Sequence, residues 1–283
     1  MRVTVCGTNC RAFTKMCRPT DPSLGRATQA RASRGWRRFA VLVLAALAGG
    51  AVSAGEPDPL GSVMWDYHHE RLLEGRPYVF DERVKVMAPP FAEDARQVPI
   101  QVDARALDGQ IERVLLWADL NPIPRIAVFQ PGPEVAPLLA IRIRVEQATP
   151  VRAAVLTRDG VWHVGSSRVD AAGGGCTAPS VVRAQPGWED RLGQVLGGRY
   201  PRGEQSRLRV QVSHPMDNGL VGDIPEFYLN QAELRGADGQ PLATLELFPA
   251  VSENPTLTLQ LKTDQPAELW LRDNNGNEFQ AAF

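Results

Sequence analysis

Cysteine and histidine are scarce in this sequence, which holds four of each among its 283 residues. Common catalytic and cofactor motifs are also missing: there is no P-loop, no Gly-x-Ser-x-Gly, no His-Glu-x-x-His and no Cys-x-x-Cys-His. A dinucleotide-binding Gly-x-Gly-x-x-Gly after a strand-like segment is absent as well. The sequence therefore argues against the enzyme classes that these motifs mark, and we predict no cofactor.

Long apolar runs are absent too, and the main one, residues 39–52, is short of the roughly 20 apolar residues that a membrane-spanning helix needs. Basic residues precede this run, and Ala51-Val-Ser-Ala54 follows it. A basic head, a short apolar centre and a small-residue end are typical of a secretory signal. We predict that residues 1–54 are an N-terminal extension and signal peptide cleaved after Ala54, with no membrane attachment afterwards. Export to the periplasm follows, by the general secretory route or, given Arg37-Arg38, the twin-arginine route.

The charge balance changes once that segment is removed. The whole chain has 31 basic and 32 acidic residues, and residues 1–54 hold nine of the basic residues but only Asp21 of the acidic ones. Residues 55–283 therefore carry 22 basic and 31 acidic residues, a net charge of −9. This balance argues against a nucleic-acid partner, which selects for a basic surface. It suits basic partners such as some periplasmic cytochromes, or it serves solubility alone.

A single cysteine remains after the predicted cleavage site. Cys6, Cys10 and Cys17 all lie upstream of it, so only Cys176 reaches an oxidising compartment. One cysteine cannot form a disulfide within the chain, which indicates a reactive thiol or intermolecular pairing rather than a structural bridge. The alternative is a buried, inert cysteine. Because Gly173, Gly174 and Gly175 precede it and favour a mobile backbone, we predict an exposed thiol on a flexible arm.

Alternating apolar and polar residues predict β-strands through most of the remaining chain. The clearest segments lie near residues 98–102, 141–145, 151–155, 208–212, 257–261 and 269–271. Asp159-Gly160, Asp238-Gly239 and Asn275-Gly276 lie between such segments and predict hairpin turns. A short helix is predicted near residues 62–73. We therefore expect an all-β protein with two antiparallel β-sandwich domains in tandem, preceded by one short helix.

The periodicity is interrupted between residues 184 and 204, where prolines and glycines cluster. We predict a linker there, a first domain over 55–183 and a second over 205–283. Cys176 would then follow the last strand of the first domain. His214, beside Pro215 and Met216, ends a predicted strand; it is a structural histidine, or it forms a metal site with Met216 and Cys176, although the spacing requires no metal.

Several motifs resemble a known family. Val98-Pro99-Ile100, Asn121-Pro122-Ile123-Pro124 and Gly174-Gly175-Cys176 are similar to the SoxY subunit of the sulfur-oxidising carrier. Ser213-His214-Pro215-Met216 and the run 248–255 (FPAVSENP) are similar to its SoxZ subunit. The order and fusion resemble SoxYZ-like carriers associated with quinoprotein dehydrogenases.

This resemblance implies two immunoglobulin-like β-sandwiches that pair in cis, and a function in thiosulfate oxidation or related chemistry. It implies that Cys176 carries a sulfur-containing group covalently, that Gly173, Gly174 and Gly175 form the arm, and that the protein has no turnover of its own. The implied partners are periplasmic redox enzymes, including c-type cytochromes and a quinoprotein dehydrogenase. In the family the Gly-Gly-Cys arm is a free C-terminal tail, whereas Cys176 is internal. Two other functions stay open: a noncatalytic docking module for a quinoprotein dehydrogenase, and a metal-binding protein.

Overall fold

The computed structural model describes residues 56–283, so the predicted signal segment 1–54 lies outside the described residues. One α-helix, α1 (Trp65–Leu72), lies within the predicted 62–73 helix and precedes the strands. None of the helices in the described range is long and apolar enough to cross a membrane. The strands up to the cysteine segment are β1 (Tyr78–Phe80), β2 (Lys85–Met87), β3 (Phe91–Ala92), β4 (Val98–Asp103), β5 (Ile111–Ala118), β6 (Arg125–Pro131), β7 (Val135–Ile143), β8 (Thr149–Thr157) and β9 (Trp162–Ala171).

Seven further strands follow the cysteine segment. They are β10 (Val195–Arg202), β11 (Gln205–Val212), β12 (Leu229–Gly236), β13 (Pro241–Leu247), β14 (Thr256–Leu261), β15 (Ala267–Asp273) and β16 (Glu278–Ala282), with two short 3₁₀ turns at Arg105–Leu107 and Glu189–Arg191. The three Gly-containing turns predicted from the sequence connect β8 to β9, β12 to β13 and β15 to β16, and each pair is antiparallel. The all-β prediction is confirmed.

The strands form two sheets, and both sheets contain strands from both halves of the chain. The ten-stranded sheet has the order β1-β9-β8-β5-β6-β13-β12-β15-β16, with β3 also paired to β9. The six-stranded sheet has the order β10-β11-β14-β7-β4-β2. The halves therefore join through antiparallel pairing of β6 with β13 and of β7 with β14. Pairing in cis takes the form of continuous sheets rather than two sandwiches that merely touch.

The residues predicted as a linker, 184–204, contain regular structure. The second part of this segment is strand β10, which pairs with β11 along its whole length. The interruptions at Gly197 and Gly198 are compatible with a strand because β10 lies at a sheet edge and is largely exposed. Proline is also tolerated in an edge strand, where a backbone N–H can be missing without loss of a ladder hydrogen bond.

The apolar core follows from the alternation. Inward-facing residues of both sheets, from both halves, form a single cluster of buried side chains between the sheets. A second cluster lies on the opposite face of the ten-stranded sheet, where Trp65 and Leu73, at the two ends of the helical segment, pack against Trp117 and Trp162. Because α1 covers that face, β8 is buried at every position, and the one charged residue of β8, Arg152, forms ion pairs with Asp58 and Asp119.

Candidate functional site

Cys176 lies in a turn directly after β9, as the sequence predicted. Gly173 and Gly174 have φ angles of +108° and +79°, which side chains rarely adopt, so glycine is required to form this turn. Gly175 is required for a different reason: a Cβ atom there would lie 2.1 Å from the carbonyl oxygen of Ala95 and 2.4 Å from that of Val145. The glycines thus let the turn pack closely against the neighbouring backbone.

The thiol itself is enclosed, and the predicted exposure is wrong. Cys176 is 1% exposed, whereas its neighbours Gly173 and Thr177 are exposed. The segment therefore lies at the surface with its sulfur directed inward. The glycine-rich sequence predicts a mobile backbone, but in the folded protein the small residues permit close packing instead. The prediction that Gly173–Gly175 form a presenting arm stays a prediction.

Glu146, on the connection between β7 and β8, holds the turn through its carboxylate. Its Oε2 atom accepts hydrogen bonds from the backbone N–H groups of Cys176 at 2.9 Å and Thr177 at 3.2 Å. The hydroxyl of Thr177 donates to Oε1 of the same carboxylate at 3.1 Å. Hydrogen bonds to a charged acceptor contribute more to stability than hydrogen bonds between neutral groups. Glu146 is therefore the main residue that holds the turn closed on this side.

The second half of the chain holds the turn from the other side. The amide of Asn218 donates to the carbonyl oxygen of Cys176 at 2.6 Å. Further along, Oε2 of Glu253 accepts from the hydroxyl of Ser180 at 2.8 Å and from the backbone N–H of Val182 at 3.2 Å. The thiol-bearing segment therefore lies at the junction of the two halves and depends on both.

The environment keeps Cys176 protonated. The pKa of its thiol is raised to about 12, chiefly by burial and in part by the negative charge of Glu146, while the positive charge of Arg144 acts in the opposite direction. An exposed cysteine titrates at about pH 8.5. In the closed turn the sulfur is therefore a thiol at neutral pH and a poor nucleophile.

Arg144 is the basic residue that the structure brings to the thiol. It is 4% exposed, and its guanidinium donates to the carbonyl oxygens of Met216 at 2.8 Å and Pro215 at 3.2 Å. Burial lowers the pKa of Arg144, and nearby negative groups oppose that shift. Its position is fixed by Asn121, whose amide donates to the Arg144 carbonyl oxygen at 2.7 Å and whose Oδ1 accepts from the Glu146 N–H at 3.0 Å.

His214 and Met216 lie at the end of β11 and are fully buried. Nδ1 of His214 accepts from the backbone N–H of Met216 at 3.1 Å, and burial lowers the pKa of His214, so the ring is neutral. Its Nε2 lies 3.7 Å from a carboxylate oxygen of Asp273, too far for a hydrogen bond. The sulfur of Met216 accepts from the N–H of Leu229. Among residues 56–283, no group of three or more His, Cys, Asp or Glu side chains is placed to hold a metal ion.

Sequence reasoning missed the residues that surround the thiol. The basic residues nearest to Cys176 in the sequence, Arg168 and Arg183, pair with Asp170 and Asp217. The residues that act on the thiol segment are Arg144, Glu146, Asn218 and Glu253. Two features of the sequence point to these residues: polar residues that follow apolar strands, and the motif around Glu253. The neighbour of Glu253, Asn254, exchanges hydrogen bonds with His214.

Over residues 56–283, fold and site together define a tandem β-sandwich with one enclosed thiol at the junction of its halves. The family description "Sulfur oxidation protein SoxY" matches residues 69–176, and "Sulphur oxidation protein SoxZ" matches residues 198–283. The chain is therefore a fusion of a SoxY-like domain and a SoxZ-like domain. The SoxY match ends on Cys176 itself.

Comparison with curated proteins finds no significant relative. Among solved structures, the chain resembles the sulfur carrier protein SoxY from Chlorobium limicola f thiosulfatophilum with 18% sequence identity and a TM-score of 0.34. That likeness covers 38% of this chain and 96% of the other. At this TM-score it supports no conclusion about the present protein.

Proposed function

We propose that this protein is a periplasmic carrier in sulfur oxidation that holds a sulfur-containing group on Cys176 and presents it to partner redox enzymes. The observation that carries the proposal is the position of Cys176. It is the free cysteine within residues 56–283, and it is the last residue of the SoxY match. The protein has no turnover of its own in this proposal, because the partners perform the chemistry.

Loading joins the Cys176 sulfur to a sulfur atom of the substrate. The thiol Cys–SH and a substrate R–SH together lose two protons and two electrons and form Cys–S–S–R, a thiosulfonate, persulfide or related adduct. The electrons pass to a partner redox protein, for which a c-type cytochrome or a quinoprotein dehydrogenase system is the proposed acceptor. Attack of another sulfur nucleophile on the S–S bond then releases the group and restores the thiol.

Loading requires that the thiol segment opens. Residues 172–184 contain no strand, and the polar contacts that hold the part around Cys176 include those to Glu146, Asn218 and Glu253. A typical hydrogen bond contributes about 1 kcal/mol, so opening costs on the order of 5 kcal/mol. A docking partner can supply that free energy, and the closed state protects the thiol from oxidation between encounters.

The enclosure of Cys176 favours a second candidate function. A thiol that is 1% exposed, with its pKa raised to about 12, has the properties of an inert structural cysteine. The protein is then a noncatalytic module that docks onto a redox enzyme such as a quinoprotein dehydrogenase. The arrangement of Glu146 and Asn218 would serve only to join the two halves.

Mass spectrometry of the protein isolated from its native compartment distinguishes the two functions. For a carrier we expect an added mass on Cys176 that a reductant removes, and loss of sulfur-dependent growth in a Cys176→Ser strain. The matched control is Val181→Ala, which alters an exposed position of the same segment but keeps the thiol. An unmodified thiol, together with normal growth of the Cys176→Ser strain, would reject the carrier and leave the docking module.

A further inference from the structure

The outer face of the six-stranded sheet is basic. Along β11 the outward side chains alternate with buried ones, as the pleat of a strand requires, and the residues of β10 paired in register with Arg207 and Arg209 face the same way. The charged residues that face outward on this sheet are Lys85, Arg142, Arg202, Arg207 and Arg209, with Asp103 as the acidic one. Residues 55–283 carry a net charge of −9, so this positively charged face is opposite in sign to the molecule as a whole.

The arginines at the β10–β11 end of this face have no acidic partner. Within residues 56–283, neither Arg207 nor Arg209 forms an ion pair, and Arg142 donates only to the side-chain oxygen of Gln97 at 3.3 Å. Lys85 and Asp103, by contrast, face each other in register on β2 and β4, at the opposite edge of the sheet. The uncompensated positive charge is therefore confined to the β10–β11–β14–β7 part of the face.

A shallow groove crosses the same area. Its volume is about 320 Å³, and its lining includes Arg142, Leu196, Tyr200, Arg209, Gln211 and Thr256. Leu196 is 63% exposed and Tyr200 is 53% exposed, which places two large apolar side chains at the surface beside the unpaired arginines. Tyrosine and arginine are enriched at protein–protein interfaces, where they supply both apolar area and directed hydrogen bonds. Strand β10 is also the edge of its sheet, so its outer backbone groups have no strand partner.

We propose that this face is a docking surface for a partner protein that presents an acidic patch. The unpaired Arg207 and Arg209 can form ion pairs with carboxylates of the partner, and the exposed Leu196 and Tyr200 can pack against apolar groups around those carboxylates. Residues 1–54 do not fit as the occupant, because they carry nine basic residues and one acidic residue. A nucleic acid is disfavoured by the negative charge of the rest of the molecule.

The surface is connected to the thiol segment through hydrogen bonds. Arg142 donates to Gln97, and the amide of Gln97 donates to the carbonyl oxygen of Glu253 at 3.3 Å. The carboxylate of Glu253 in turn holds Ser180 and Val182 of the thiol segment. Gln97 alone therefore separates Arg142 from Glu253, which is one of the residues that hold the thiol segment. An effect of docking on the thiol segment matters only if the proposed carrier function holds. The docking surface itself does not depend on that function.

The test uses residues 55–283 labelled with ¹⁵N and titrated with hexaglutamate, followed by NMR. We expect shift changes confined to β10, β11, β14 and the end of β7, and their loss in 0.5 M NaCl because salt screens exposed charges. The Arg207→Glu/Arg209→Glu variant should bind hexaglutamate at least about tenfold more weakly, since it removes two exposed ion pairs and adds repulsion.

The matched control is Arg158→Glu/Arg272→Glu, which changes the net charge equally but lies in the β8–β9 turn and on β15. Equal weakening by both double variants would overturn the proposal, because net charge and not this face would then govern binding. Shifts spread over other surfaces, or equal binding of hexalysine, would also overturn it. A concentration-dependent dimer in sedimentation that the Arg207→Glu/Arg209→Glu variant abolishes would assign the face to a second copy instead. Failure of these tests leaves the Cys176 adduct measurement unaffected, so the two proposals fail separately.

Discussion

At the scale of single residues, the central fact is that Cys176 is set by its surroundings to be unreactive while the turn is closed. Burial and Glu146 raise the thiol pKa to about 12, and Arg144 acts against them. Because the pKa in the folded state lies above that in the unfolded state, the neutral thiol stabilises the closed state below about pH 8.5. That stabilisation decreases as the pH rises from there through the folded pKa.

The first prediction concerns the pH dependence of alkylation at Cys176. In the native protein we expect the iodoacetamide rate to keep rising about tenfold per pH unit from pH 8 to 10, because the thiolate fraction stays small below a pKa of about 12. In urea-unfolded protein the rate should level off above about pH 8.5. The measurement is the labelled fraction by intact mass over time. A native rate that levels off near pH 8.5 would show an accessible, ordinary thiol.

Variants at Glu146 separate charge from hydrogen bonding. Glu146→Gln keeps an oxygen acceptor but removes the charge, whereas Glu146→Ala removes both. Loss of hydrogen bonds to a charged acceptor costs about 1.5–3 kcal/mol, so Glu146→Ala should speed native labelling roughly tenfold or more, and Glu146→Gln by less. The exposed Glu204→Ala serves as the control. Equal labelling rates in the wild type and the three variants would mean that Glu146 does not hold the turn closed.

At the scale of elements, the turn after β9 packs closely against the neighbouring backbone because Gly175 has no side chain. Gly175 lies so close to the backbone at Ala95 and Val145 that any Cβ would overlap their carbonyl oxygens. A Cβ at Gly174, one residue earlier, would meet no atom within 4 Å, but the φ angle of this residue is +79°. The two glycines therefore serve different purposes, one steric and one conformational.

The third prediction uses this difference. Gly175→Ala should displace the thiol segment and speed labelling of Cys176 at least about tenfold, because overpacking of this kind costs about 1–3 kcal/mol. The melting temperature should fall by about 2–4 °C for each kcal/mol of that cost, while the strands on both sides of the turn stay paired. Gly174→Ala, which meets only a conformational penalty of about 1 kcal/mol, should have a smaller effect. If Gly174→Ala labels as fast as Gly175→Ala, close packing does not hold the turn.

At the scale of the whole molecule, the two halves share their sheets. Pairing of β6 with β13 and of β7 with β14 makes each sheet continuous, and the core between the sheets draws side chains from both halves. A perturbation that destabilises one half should therefore also destabilise the other. His214 offers such a perturbation, because it is buried and neutral in the second half.

The fourth prediction is that acid destabilises both halves together. The pKa of His214 is lowered on folding, so stability is full above its unfolded value of about 6.5 and decreases as the pH falls below it. Between pH 7.5 and 5.5 the loss from this group is at most about 1.4 kcal/mol. Hydrogen exchange of the slowest amides in β8 and in β15 should report the same decrease.

His214→Asn keeps an acceptor for the Met216 N–H and should remove most of the pH-dependent loss in both strands. His69→Asn, at a partly exposed position on α1, is the control and should leave the loss unchanged. A decrease confined to β15 would show that the halves unfold separately, contrary to the continuous sheets.

Local structure in this protein follows from the amino-acid sequence alone. Alternation along single strands and Asp-Gly or Asn-Gly turns are properties of neighbouring residues, so β8–β9, β12–β13 and β15–β16 were predictable, and so was the place of Cys176 after the last strand of the first half. How the halves join and where the sulfur points were settled by tertiary contacts. Those features depend on residues far apart in the chain: Glu146 lies 30 positions before Cys176 and Asn218 lies 42 after it. A run of glycines specifies that the backbone can turn sharply, but whether it then stays mobile or packs tightly depends on what lies opposite, and no local pattern encodes that.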